Sequence, residues 1–164
     1  MTTNDDPAGV GAFSHEDLGK AVRRVLDRQE IADVLYRYAS SVDYKDFSTL
    51  RSLFVANAHG VYTTVADLYG ADEIVAWIQE MTSTKNWQHH KLNVYHIDFI
   101  GPDEARTLTY HTSHQTDSED PGAVVLIVAR YRDLLRRTPD GWKITEKIME
   151  PGWAERRQPE IADH

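Results

Sequence analysis

The chain has 164 residues, 41% of them hydrophobic, enough for one substantial core and too few for two comfortable domains. Its 26 acidic and 18 basic residues leave a net charge of −8, which repels nucleic-acid backbones and anionic membrane surfaces. With no cysteine there is no disulfide, thiolate nucleophile or zinc–sulfur site, so chemistry must rest on carboxylates, imidazoles, hydroxyls or a bound cofactor.

Residues 1–13, rich in Asp, Gly, Pro and Thr, hold too little apolar surface to offset the entropy of ordering and read as a flexible arm. The N-terminus lacks the basic-then-apolar pattern of a signal peptide, and no apolar run approaches the ~20 residues of a membrane helix. The expectation is a cytoplasmic protein with one domain over residues 14–153 and a polar tail over 154–164. Ser14 followed by Asp17 resembles a helix start, and Ile31, Val34, Leu35, Tyr38, Ala39 and Val42 recur at helical spacing. Asp43-Tyr44-Lys45-Asp46 interrupts that pattern, after which Phe47, Leu50, Leu53 and Phe54 predict a short second helix. Residues 58–64 favour a strand, and residues 71–81, with Ile74, Val75, Ile78 and Met81 on one face, favour a third helix. Long strands are then expected at 93–100, 104–116, 123–137 and 142–150, separated by Gly101-Pro102-Asp103, residues 118–122 and Pro139-Asp140-Gly141. Helices first and a meander afterwards predict an α+β architecture, three N-terminal helices packed on a curved antiparallel sheet.

Strand parity sorts the eight histidines. In the second long strand Leu108, Tyr110, Thr112 and His114 share one face, which reads as the inner one, opposite Thr107, Thr109, His111 and Ser113. In the third, Val125, Ile127, Ala129 and Tyr131 line up together. Counting back from Ile97 and Phe99 through Tyr95 and Asn93 puts His89 on the partly apolar side and turns His90 away. His89-His90 and His111-x-x-His114 do not converge on strands, so no metal site is expected. Gly9-Val10-Gly11 precedes no strand–helix unit, and no nucleotide cofactor is expected either.

The order helix, Asp43, short helix, strand ending near Tyr62, third helix, Gln88-His89 and a meander closing on Asp140-Gly141-Trp142-Lys143 resembles the SnoaL-like branch of the nuclear-transport-factor-2-like superfamily. Within it, Asp43-Tyr44-Lys45-Asp46-Phe47 with Leu50-Arg51, Tyr62, Gln88-His89 and His114-Gln115 is most similar to scytalone dehydratases, and partly similar to bile-acid 7α-dehydratases and hexachlorocyclohexane dehydrochlorinases. The chain departs from the dehydratase pattern at Val42, where a tyrosine is usual, and at Tyr131, where an asparagine is usual; Asp133 stands near the place of a dehydrochlorinase arginine.

The resemblance implies a conical pocket in which Asp43 orients His89 as the base, His114 serves as acid or second base, and Tyr38, Tyr62 and Tyr131 contact substrate. The implied activity is that of a cofactor-independent lyase, a dehydratase acting on a small hydroxylated cyclic, polyketide-like or steroid-like molecule. An isomerase or aldol cyclase uses the same acid–base pair, and the fold also serves as a non-catalytic binding or assembly module. Asp43 before a new helix equally fits a turn-and-cap role, and tyrosines at these positions fit a core. Val124, Leu126 and Val128 on the outer sheet face suggest a homo-oligomer, with trimer placed ahead of dimer by resemblance.

Overall fold

In the computed structural model, which describes residues 14–63, 65–120 and 122–158, Ser14 starts the first helix by accepting the Asp17 amide N–H on its hydroxyl. The expected N-terminal arm lies outside the described residues. Helix α1 (His15–Asp43) buries its apolar stripe only from Asp27 onward, through Ile31, Leu35, Tyr38, Ala39 and Val42. The interruption after Asp43 is a tight turn with Lys45 at φ 55°, and Asp46 then caps α2 (Phe47–Ser52) by accepting the Thr49 amide. Strands β1 (Phe54–Tyr62) and β2 (Ala66–Tyr69) form a hairpin, α3 (Ala71–Met81) follows, and β3 (Lys85–Phe99), β4 (Glu104–Asp117), β5 (Val124–Thr138) and β6 (Gly141–Arg157) make the meander.

The six strands form one sheet in the order β2-β1-β6-β5-β4-β3. The meander is antiparallel as expected, and β1 with β2 likewise; β1 runs parallel to β6, so the curved sheet as a whole is mixed. The parallel pair arises because β1 is met by the last strand of the meander, far along the chain. Strand β2 escapes a reading by periodicity because its four residues give only two alternations. Strand β6 continues past Trp153, pairing residues 154–157 with 124–127, because ladder hydrogen bonds do not require apolar side chains. Residues 154–157, expected in the tail, are thus part of the sheet.

The helices cover the inner face of the sheet, where Ile31, Leu35, Leu50, Phe54, Ile74, Leu135 and Ile144 are buried. Gly60 lets α3 close onto β1, since a Cβ there would stand 2.9 Å from Ile74 Cγ1. One polar lock ties α1 to the β5–β6 hairpin. Buried Asp27 accepts from Arg137 at 2.6 Å and from the Trp142 indole at 3.5 Å, while the Arg137 guanidinium lies over the Trp142 ring. Burial alone would raise the Asp27 pKa, but these two donors and the Arg137 charge hold it below the ordinary carboxylate value.

Bulges interrupt the long strands, and one matters for the site. On β3 the register jumps between Val94 and His96, so Tyr95 is an extra residue with no opposite partner on β4. Side chains before and after it keep opposite parities.

Candidate active site

A cavity of about 390 Å³ opens between α1, α3 and the inner face of the sheet, within the size range of small-molecule sites. Tyr38, Tyr62, Trp77 and Tyr131 supply aromatic walls, and Val42, Ile78, Met81, Ile127 and Met149 supply aliphatic ones. Into this apolar setting project Gln88, His90, His111 and Gln115, with Lys85 also bordering the space.

Asp43 is the last residue of α1, and its carboxylate holds His90 twice. Oδ1 lies 2.5 Å from His90 Nδ1, and the backbone N–H of His90 donates to Oδ2 at 3.0 Å. The His90 and Asp43 side chains are only 9% and 15% exposed. With Nδ1 committed to the carboxylate, the tautomer is set and Nε2 is the nitrogen left to accept a proton. The ring stacks on that of His111, with centroids 4.9 Å apart. His111 is buried and neither of its nitrogens has a partner among the described residues. Burial, then the proximity of His90 and of the Lys147 charge, push its pKa down to about 3, so its imidazole is neutral at physiological pH.

The phenols form a second polar group. Tyr38 donates to the Tyr62 oxygen at 3.0 Å, which leaves the Tyr62 hydroxyl proton free to donate elsewhere. Burial raises all three tyrosine pKa values well above 10, so they are neutral donors. Under the rings of Tyr38 and Tyr131, at 4.1 and 3.9 Å from their centroids, lies the Lys147 ammonium. It pairs with Asp133 at 3.0 Å, and Thr107 donates to the other carboxylate oxygen. Among the described residues no group of three or more His, Asp or Glu side chains is arranged to hold a metal ion.

A sequence profile of the SnoaL-like domain matches residues 23–147. The chain belongs to the SnoaL-like domain family. Uncharacterized proteins of Mycobacterium tuberculosis and Mycobacterium bovis are each 26% identical to this SnoaL-like domain over 129 residues, covering 78% of this chain and 87% of theirs. Among solved structures, a candidate scytalone dehydratase from Novosphingobium aromaticivorans superposes with a TM-score of 0.74 at 15% identity, over 85% of this chain and 91% of that one. A hexachlorocyclohexane dehydrochlorinase from Novosphingobium barchaimii gives 0.75 at 16% identity, over 84% and 94%. A candidate dehydratase of the NTF2-like family from Streptomyces avermitilis gives 0.70 at 20% identity, over 79% and 99%. At these identities the likeness to the solved structures is one of fold.

Of the residues singled out in the sequence, Tyr38, Tyr62 and Tyr131 line the cavity, and Asp43 stands at its edge behind His90. His89 and His114 do not. They pair across β3 and β4 on the outer face of this SnoaL-like domain, with ring centroids 6.2 Å apart, and His89 is exposed beside Trp87. Asp43 contacts His90 where His89 was expected, and the β4 histidine that lines the cavity is His111 where His114 was expected.

Each replacement has a physical cause. Parity counted back from Ile97 crosses the bulge at Tyr95 and arrives on the wrong face; Gln88, His90, Leu92 and Val94 are the inward set. On β4 the inward set is Ala105, Thr107, Thr109, His111 and Ser113, and from Thr107 to His114 it is the more polar of the two faces, because it faces a polar site and a buried ion pair instead of a hydrocarbon core. The sequence signals for it were the small Ala105 and the run of alternating small hydroxyl residues.

Proposed function

We propose that this SnoaL-like domain is a cofactor-independent lyase, a dehydratase, in which Asp43 orients His90 as the base. The observation that carries the reading is the 2.5 Å contact of Asp43 with His90 Nδ1 beside a mostly apolar cavity that the His90 ring lines. The similarity to candidate dehydratases and to a dehydrochlorinase supports the class, since β-elimination and dehydrochlorination both begin with removal of a proton from carbon.

The chemistry follows from the groups present. In a β-hydroxy carbonyl substrate, His90 Nε2 removes the proton next to the carbonyl, and the C–H electron pair moves onto the enolate. The pair then forms the carbon–carbon double bond as the C–O bond breaks, and the proton held on His90 passes to the departing hydroxide, releasing water. Asp43 stabilises the imidazolium between those steps. The neutral phenol of Tyr62 and the neutral imidazole of His111 are hydrogen-bond donors for the enolate oxygen or the leaving hydroxyl. A pKa near 3 makes His111 a donor that orients and polarises, and not a store of a proton. The base and second-histidine roles first assigned to His89 and His114 thus pass to His90 and His111. Trp87, Tyr95, Tyr110 and Trp153, all exposed, support a self-associating surface outside the cavity.

The test is turnover of a panel of β-hydroxy cyclic ketones, read by mass spectrometry as loss of water. Asp43→Asn and His90→Ala are expected to lower kcat by at least about a hundredfold with thermal stability retained, and His89→Ala to leave it within about twofold. Undiminished turnover in His90→Ala would refute the assignment.

A further inference from the structure

Gln88 is buried, with 6% of its surface exposed, and lies two residues before His90 on the inward face of β3. Its side-chain amide meets one partner, the carbonyl oxygen of Val42, at 3.3 Å. A carbonyl only accepts, so the NH2 end of the amide must face it, and the orientation of Gln88 is fixed by that contact. Oε1 is left buried with no partner among the described residues, in a side chain that lines the cavity. A buried acceptor left unmade costs about 1–3 kcal/mol, so the site is built for a ligand or a water that donates to it.

The charges around the cavity restrict that ligand further. Lys85 is paired with Asp117 at 2.5 Å, and Lys147 with Asp133 at 3.0 Å. Neither lysine is left to balance an anion, and among the described residues no arginine lines the cavity. A carboxylate or phosphate entering it would lose hydration without gaining an opposite charge. Stacked Tyr62 and Trp77, with ring centroids 4.9 Å apart, offer flat apolar ring surface to the cavity, which Tyr131 also lines.

We infer that Gln88 is the specificity-determining acceptor of this cavity, selecting an uncharged, flat-ringed ligand through a hydroxyl that donates to Oε1. This rests on the cavity being the substrate site, as proposed above, and it adds which group of the substrate is read and which charge is refused. Gln88 fixes the ligand's rotation in the cavity, so that the carbon to be deprotonated is presented to the neighbouring His90.

Three probes of matched shape test it by isothermal titration on the full chain: 2-naphthol, 2-methylnaphthalene and 2-naphthoate. The wild-type chain is expected to bind 2-naphthol at least about tenfold more tightly than 2-methylnaphthalene, in which a methyl replaces the donor, and at least about tenfold more tightly than the anion. Gln88→Met, similar in volume but without the amide, is expected to bring naphthol and methylnaphthalene within about threefold of each other. Equal affinities for those two in the wild-type chain, a discrimination that survives in Gln88→Met, tight binding of 2-naphthoate, or no binding of any probe would each overturn the inference. The wild-type ranking decides the ligand class if the variant does not fold. Because the readout is binding, the two proposals can fail separately. A chain that ranks the probes as expected yet dehydrates no hydroxyketone would keep Gln88's role and lose the catalytic one.

Discussion

Lys147→Met is the substitution whose consequence the structure specifies most fully. The Lys147 and Asp133 side chains are 1% and 0% exposed, and burial pushes each toward its neutral form, the lysine pKa down and the aspartate pKa up. Each is held charged by the other, with Thr107 donating to the carboxylate and two tyrosine faces against the ammonium. Methionine fills much of the lysine's volume but leaves Asp133 without its counter-charge, which costs about 3–5 kcal/mol for a buried pair. For a chain of this size that is a fall in Tm on the order of 10 °C. The partner change Asp133→Val on top of Lys147→Met removes the stranded charge, and the double variant is expected to recover most of the loss. Urea unfolding of wild type, both single variants and the double variant gives the coupling energy directly. A Lys147→Met chain within about 1 kcal/mol of wild type would refute the reasoning, since it would mean that Asp133 is not a stranded anion when its partner is gone.

Stability should depend on pH through His111. Its pKa is about 3 in the folded chain and near 6.5 when unfolded, so between those values the unfolded state binds the extra proton and stability falls as pH falls. The loss, complete only below pH 3, is up to about 5 kcal/mol, and the slope should become shallower in His111→Leu, where carboxylates such as Asp27, held below the ordinary value, still contribute at the acid end; an unchanged slope in that variant would assign the effect elsewhere. The same His111→Leu chain should be at least as stable as wild type at pH 7, because neither ring nitrogen loses a partner, while turnover of the hydroxyketone panel drops. Gly152→Ala should destabilise by about 1–3 kcal/mol in thermal unfolding, since its Cβ would fall 2.7 Å from the Val128 carbonyl oxygen at the β5–β6 bulge, where only backbone movement can relieve it. A Tm unchanged by that substitution would show that the bulge can open.

How much of this was legible in the sequence differs by element. The start of α1 was readable because Ser14 and Asp17 act locally, and the turn at Asp43 because capping residues announce themselves within a few positions. Strand positions were readable from their composition, and the face of β5 came out correctly because Ile127, Ala129 and Tyr131 belong to one unbroken alternation. The face of β3 did not, because a bulge is decided by the pairing of two strands and leaves no mark in the pattern of either one. The parallel contact of β1 with β6 was hidden for a related reason: it joins residues such as Tyr62 and Met149, far apart in the chain.

The mistaken face of β4 has a different cause, one that bears on function. A reading by hydrophobicity assumes that the inward face is the apolar one, and over most of the domain it is. In the stretch from Gln88 to Ser113 the inward face instead carries Gln88, His90, Thr109, His111 and Ser113, while the rings of Tyr95 and Tyr110 meet at a tilt on the outside. Buried polar atoms without partners are costly to a fold and gain nothing from packing, so a cluster of them is retained where something else requires it. Three such atoms, Gln88 Oε1 and the two nitrogens of His111, belong to residues lining one cavity beside the Asp43–His90 pair. The place where the apolar-inward rule fails is thus the place where the domain has given up stability, which is where a site for chemistry is expected to lie.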